Sequence, residues 1–252
     1  MLLSGKRAFV TGASRGIGAA IARTLAAEGA DVAISYEKST DLAEAVVRDI
    51  RAMGRKAIAI QANSADVAAV QHSVTQAAKE LGGLDILVNN AGILRVGELK
   101  DISIEDIDAT LNVNVRAPIV AAKAALAYLG DGGRIISIGS YFADRVPASV
   151  LAVYAGSKSA LIAFNKGLAR ELAPKGITAN LVQPGSINTD MNPAHGPYGD
   201  VLRQFIATGK YGAGDDIANA VAFLASDKAA YITGTALTVD GGAKGLRRNK
   251  RF

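Results

Sequence analysis

The sequence predicts an α/β chain folded as a doubly wound parallel sheet of seven strands, with helices on both faces. Short apolar runs alternate with segments of helical period from one end to the other, and a glycine cluster sits between the first strand and the first helix. With 252 residues, half of them apolar, the chain can bury a sizeable core.

The elements follow in order. Residues 7–10 are a short apolar strand, and 17–28 repeat apolar residues at helical spacing up to Gly29, a residue suited to a helix stop. Residues 31–36 read as a strand, 41–53 as a helix stopped by Gly54, and 57–60 as a strand. A helix over 66–81 ends at Gly82 and Gly83, and 85–88 is the next strand. Ser103 with Asp106 makes a capping box for one long helix reaching about residue 129. Strand 134–138, helix 154–173, strand 178–182, helix 215–225 and strand 236–239 complete the series. No composition shift, low-complexity tract or repeat beyond the βα unit divides the chain. It reads as one domain over 1–252, with a lid over about 186–212 and a basic tail at 244–252.

Composition excludes several classes. Cysteine is absent, so there is no disulfide framework, thiol nucleophile or thiolate metal site. The two histidines, His72 and His195, are far apart, and a metal site is not expected. No long apolar leader or membrane-length run is visible, and a cytoplasmic protein without a membrane partner is expected. The net charge of +5 is mild, and residues 244–251 hold five Lys or Arg in eight. No aromatic residues interleave with that tail, so nucleic acid is not the expected partner.

Two stretches carry chemistry. In Thr11-Gly12-Ala13-Ser14-Arg15-Gly16-Ile17-Gly18, the missing side chains let the backbone approach a pyrophosphate at the start of the next helix. The spacing differs from G-x-G-x-x-G, but the strand–turn–helix context is the one a dinucleotide requires. Farther on, Tyr154 and Lys158 are four apart and share a helix face. Such pairs are common on solvated helices. Beside a cation, however, a phenol is expected to move from about 10 toward neutrality and to serve as a proton donor. Ser140 follows the strand at 134–138, at the carboxyl end where open α/β sheets bind ligands.

Thr-Gly-x-x-x-Gly-x-Gly at 11–18, Asn89-Asn90-Ala91-Gly92, Asn114, Ser140, Tyr154-x-x-x-Lys158 and Pro184-Gly185 with Thr189 together resemble the short-chain dehydrogenase/reductase family, across residues 6–242. The resemblance implies a Rossmann-type oxidoreductase. Tyr154 would be the acid/base, and Ser140 would orient the substrate oxygen. Lys158 would hold the nicotinamide ribose and lower the Tyr154 pKa, with Asn114 fixing a water behind it. Gly12, Ser14, Arg15, Gly16, Ile17 and Gly18 would cradle the cofactor. Asn90, Ala91 and Gly92 would line its adenosine-ribose side and Asn63 and Ser64 the adenine, with Pro184, Gly185, Ile187 and Thr189 at the nicotinamide. NAD enzymes of the family usually have Asp at the position of Tyr36. Here Arg15, Lys38 and Ser39 are suited to a 2′-phosphate and Glu37 is expected to stay solvated, so NADP(H) is expected.

Ser140, Tyr141, Val150, Leu151, Tyr154 and Met191, with Phe142, would form the walls around a small carbonyl or alcohol substrate, and His195 is expected as an exposed loop residue. Three functions stay open. One is an NADPH-dependent carbonyl reductase, reversibly an alcohol dehydrogenase. Another is a 3-oxoacyl-acyl-carrier-protein reductase, which the stretch at 226–234 also resembles; there Lys175 offers a basic contact, while Asp131 stands where a second Arg is expected. The third is a non-catalytic module binding a nucleotide-like ligand, because the lid is similar to a branch of the family associated with cyclic-dinucleotide binding. A homotetramer is also implied.

Overall fold

The computed structural model describes residues 1–245. Seven strands form one parallel sheet in the order β3-β2-β1-β4-β5-β6-β7. They are β1 (Arg7–Val10), β2 (Asp31–Tyr36), β3 (Ala57–Gln61), β4 (Leu84–Asn89), β5 (Leu129–Ile138), β6 (Thr178–Pro184) and β7 (Ala236–Val239). The order reverses between β1 and β4, and this opens a crevice beyond their carboxyl ends.

The crossovers are α1 (Gly16–Ala27), α2 (Thr40–Ala52), α3 (Val67–Leu81), α4 (Ile104–Leu111) with α5 (Ala117–Ala125), α6 (Ala152–Leu172), the short α7 (Gly199–Arg203) and α8 (Gly214–Ala225). Alternate strand residues feed two cores. Val10, Ile34, Val88, Ile136 and Val182 pack with α1, α2 and α8, while Phe9, Ala33, Leu87, Ile135 and Ala179 pack with α3, α5 and α6. Caps hold the helices as the residue types dictate. Asp66 accepts from the backbone N–H groups of Ala68 and Ala69, and Ser103 accepts from that of Asp106. Among the described residues no helix is long and apolar enough to cross a membrane.

Two segments differ from the sequence reading. The single helix expected up to residue 129 is α4, a π-helical turn (Asn112–Arg116) and α5, which ends at Ala125. Pro118 has no N–H, so the Asn114 carbonyl lacks its ordinary i+4 donor, and the winding widens there. Strand β5 starts at Leu129 rather than Arg134, because the register shifts between the Leu84–Leu129 and Ile86–Arg134 pairs and the glycine-rich 130–133 segment is bulged out. Most of the basic tail lies outside the described residues. Lys244, at its start, pairs with Asp144 at 2.5 Å.

Candidate active site

The glycine turn is stitched to the end of β4. Thr11 Oγ1 accepts from the backbone N–H groups of Asn90 and Ala91, both at 3.0 Å. Asn90 Nδ2 donates to the carbonyls of Thr11 at 2.9 Å and Gly12 at 3.0 Å. Two glycines are required by space. A Cβ on Gly18 would collide with Asn90 Nδ2 and stand 2.7 Å from the Gly12 carbonyl, and one on Gly12, where φ is +62°, would stand 2.8 Å from Ala91 Cα. The Asn90 side chain therefore braces the turn. Thr11 is a positioning residue that the sequence reading did not single out.

Ser14, Arg15, Gly16, Asn188 and Gly214 line an open groove of about 380 Å³ at the N-terminus of α1. Thr189 crosses over Gly16, with its methyl 3.5 Å from where a Cβ there would be. Helix dipole, free N–H groups and bare glycine backbone together suit a diphosphate, so the residues present fit a dinucleotide. At the neighbouring edge Arg15 pairs with Asp190 at 3.4 Å and Lys38 with Glu37 at 3.5 Å, all of them largely exposed. Such surface pairs are weak and easily exchanged for a phosphate. Glu37 is solvent-facing as expected. Ser39 is the residue preceding α2. Tyr36 is buried within the core beneath that edge, so its ring is a floor and not a surface ligand.

Asn63 turns its side chain back to the Ala65 N–H, and Ser64 and Ala91 border a small cavity nearby. Gly185 lies against Asp240, where a Cβ would stand 2.5 Å from Cα, so Pro184 and Gly185 pin the end of β6 to the chain after β7. Ile187 is buried, and its backbone bridges to Gly212.

The catalytic candidates converge at the ends of β5 and α6. Ser140 hydrogen-bonds the Tyr154 phenol and accepts from the Phe142 N–H at 3.1 Å. Lys158, 5 % exposed, directs Nζ to the Ile138 carbonyl at 3.0 Å and stands 6.0 Å from the Tyr154 ring centroid. Burial pushes the Tyr154 phenol up to about 12, against the lowering effect of Ser140. Burial likewise pushes the Lys158 ammonium down to about 8. The expected lowering of the phenol by the amine is thus corrected: the two share a face, but desolvation governs both.

Asn114, fully buried, uses its carboxamide internally. Its Oδ1 accepts from the Ile93 N–H and its Nδ2 donates to the Ile93 carbonyl, both at 2.9 Å, and Nδ2 also donates to Ser157 Oγ at 3.1 Å. The carboxamide is therefore turned to Ile93 and Ser157.

The substrate walls are only partly as expected. Tyr141 does not line an open wall. It is buried against Ile206 and Ala243, its hydroxyl bonds Ser186, and burial pushes it up. Leu151 is buried, Val150 accepts from the Gly97 N–H at 3.0 Å, and Met191 is exposed, as is His195. Phe142 meets Tyr154 edge-on, with ring centroids 6.4 Å apart. The segment over 186–212 closes at its base, where the Gly212 N–H donates to the Ser186 carbonyl at 3.0 Å.

Comparison with known proteins agrees with this geometry. A family model described as enoyl-(acyl carrier protein) reductase matches residues 12–244. The cyclic-di-GMP-binding biofilm dispersal mediator protein of Escherichia coli is 42% identical over 238 residues, which cover 94% of this chain and 97% of that protein. The 3-oxoacyl-[acyl-carrier-protein] reductase of Staphylococcus aureus is 42% identical over 243 residues, covering 94% of this chain and 97% of that one. The crystal structure of a short chain dehydrogenase from Burkholderia cenocepacia in complex with NADP superposes with a TM-score of 0.96 at 59% identity, covering 97% of this chain and all of that one. The glycine turn, the β1/β4 crevice and these likenesses place the chain in the short-chain dehydrogenase/reductase family.

Proposed function

We propose that the protein is an NADP(H)-dependent oxidoreductase that reduces a ketone or aldehyde to an alcohol, reversibly, with Tyr154 as the acid/base. The observation that carries this reading is the Ser140–Tyr154 hydrogen bond, set beyond the carboxyl end of β5 with the buried Lys158 behind it. NADPH supplies the hydride when bound. Gly12 to Gly18 and Asn188 hold the diphosphate, and Arg15, Lys38 and Ser39 meet the 2′-phosphate. Ser140 orients the carbonyl oxygen, and Tyr154, protonated at neutral pH, delivers the proton to it as negative charge develops. Lys158 presents a cation behind the phenol and a donor to a ribose hydroxyl. The 186–212 segment covers the substrate and keeps water from it. The Burkholderia relative, solved in complex with NADP, supports the cofactor choice.

The enzyme is read as cytoplasmic and homotetrameric. Exposed Ile104 and Leu111 on α4 and Ile119 on α5 supply apolar surface for subunit contact. A panel of ketones and acetoacetyl thioesters, followed by NADPH absorbance, tests the function. Turnover of thioesters alone favours the acyl-carrier-protein reductase reading. The Escherichia coli relative motivates a second reading, ligand binding without turnover. Calorimetric binding of a cyclic dinucleotide, with no substrate of the panel consumed, favours that one.

A further inference from the structure

We propose that Ser157 is a positioning residue that clamps the Tyr154 main chain to the Asn114 carboxamide and so fixes where the phenol stands. This rests on the reading of Tyr154 as the acid/base. Ser157 is 1% exposed. Its Oγ donates to the Tyr154 carbonyl at 2.6 Å and accepts from Asn114 Nδ2 at 3.1 Å. The polarity has one solution. A hydroxyl has a single proton, and Ser157 gives it to a carbonyl, so it can only accept from Asn114. Asn114 in turn must place Oδ1 toward the Ile93 N–H, which leaves Nδ2 to face both the Ile93 carbonyl and Ser157.

The clamp acts on the Tyr154 main chain itself. Helix α6 starts after Leu151, which offers no side-chain cap; the Gly97 N–H holds the Val150 carbonyl just before it, and Ser159 Oγ donates to the Ala143 carbonyl at 2.6 Å just after Lys158. Ser140 is anchored separately, at the end of β5, by accepting from the Phe142 N–H. The Ser140–Tyr154 distance therefore depends on where the first turn of α6 sits. Ser157 ties that turn, through Asn114, to Ile93 and the Asn90–Gly92 loop beside the glycine turn. Gly92 completes the fit: a Cβ there would lie 3.3 Å from Lys158 Nζ and 3.4 Å from Asn114 Oδ1. The seat of the acid/base and the seat of the cofactor are thus joined by one hydrogen-bonded chain, from the Tyr154 carbonyl through Ser157 and Asn114 to the Ile93 main chain.

Loosening the clamp weakens the Ser140 bond, the influence that lowers the Tyr154 pKa against burial. The phenolate is the base in alcohol oxidation, so the rising limb of that pH profile moves to higher pH. The experiment compares Ser157→Ala, Ser157→Cys and Ser157→Thr with the parent, reading kcat, KM, the oxidation pH profile, NADPH affinity by fluorescence and Tm. In S157A and S157C, kcat falls about ten- to a hundredfold, the oxidation limb shifts upward and NADPH affinity stays within about twofold. Thr keeps the hydroxyl, and S157T restores both kcat and the limb. S157C carries the test should S157A fail to fold. A kcat within twofold of the parent in both variants, or a loss with an unmoved limb that Thr does not restore, overturns the clamp. Tyr154→Phe separates the two readings. If Y154F turns over ketone, the acid/base assignment falls and the clamp with it; if Y154F is inactive while S157A is unaffected, the clamp alone falls.

Discussion

The Ser140 hydroxyl hydrogen-bonds the Tyr154 phenol, and this contact works against the burial that pushes the phenol up to about 12. A phenol so placed keeps its proton at neutral pH, the state that carbonyl reduction requires. Tyr154→Phe is expected to lower kcat by about a thousandfold, with NADPH affinity measured by fluorescence almost unchanged. Ser140→Ala removes the lowering influence, so its oxidation rate rises with pH later than the parent's, as a stopped-flow pH series reads directly.

Lys158 is buried with its ammonium pushed down to about 8 from an ordinary 10.5. The unfolded chain binds more protons than the folded one between those values, so stability rises with pH through that window. Lys158→Met relieves the buried charge and is expected to stabilise the fold at pH 7 by on the order of 2 kcal/mol while abolishing turnover. Urea melts at pH 7 and pH 10 check both, the advantage over the parent shrinking at the higher pH.

Arg15 and Lys38 now share weak surface pairs with Asp190 and Glu37. Replacing either by Ala is expected to raise KM for NADPH about tenfold, roughly 1.4 kcal/mol, and to leave KM for NADH where it was. Steady-state kinetics with both cofactors measures this. An equal change for both cofactors removes these residues from 2′-phosphate recognition.

Gly18→Ala would drive a methyl group into Asn90 Nδ2 and the Gly12 carbonyl. The turn must open to admit it. We expect NADPH binding to fall by more than tenfold in a titration, with a circular dichroism spectrum unchanged, because the collision lies in the turn and not in the sheet.

The alternation of strands and helices and most helix ends were legible because local chemistry decides them: Gly82 takes the left-handed conformation that stops α3, and Asp66 and Ser103 cap the helices after them. The π-turn was not. Apolar spacing is almost the same in an α-helix with one wide turn, and the cause, Pro118 four residues after Asn114, reads as an ordinary helix-start proline. Strand β5 was shortened because 130–133 has the glycines of a loop, although its bulge stays within the ladder. In the site, spacing placed Tyr154 and Lys158 on one face but could not say that Lys158 reaches the Ile138 carbonyl. The direction of Tyr141 was hidden because Ala243, a hundred residues farther along the chain, decides it.

At the neck of the 186–212 segment, Ser186 and Gly212 are joined, and the Asn188 N–H returns to the Gly212 carbonyl at 2.9 Å. Chain leaves and re-enters the scaffold at nearly one point. What lies between is therefore a cassette: it can be lengthened, shortened or swapped for a relative's version without tearing a strand from its neighbours, and new substrate ranges can arise while the proton-handling machinery beneath stays as it is.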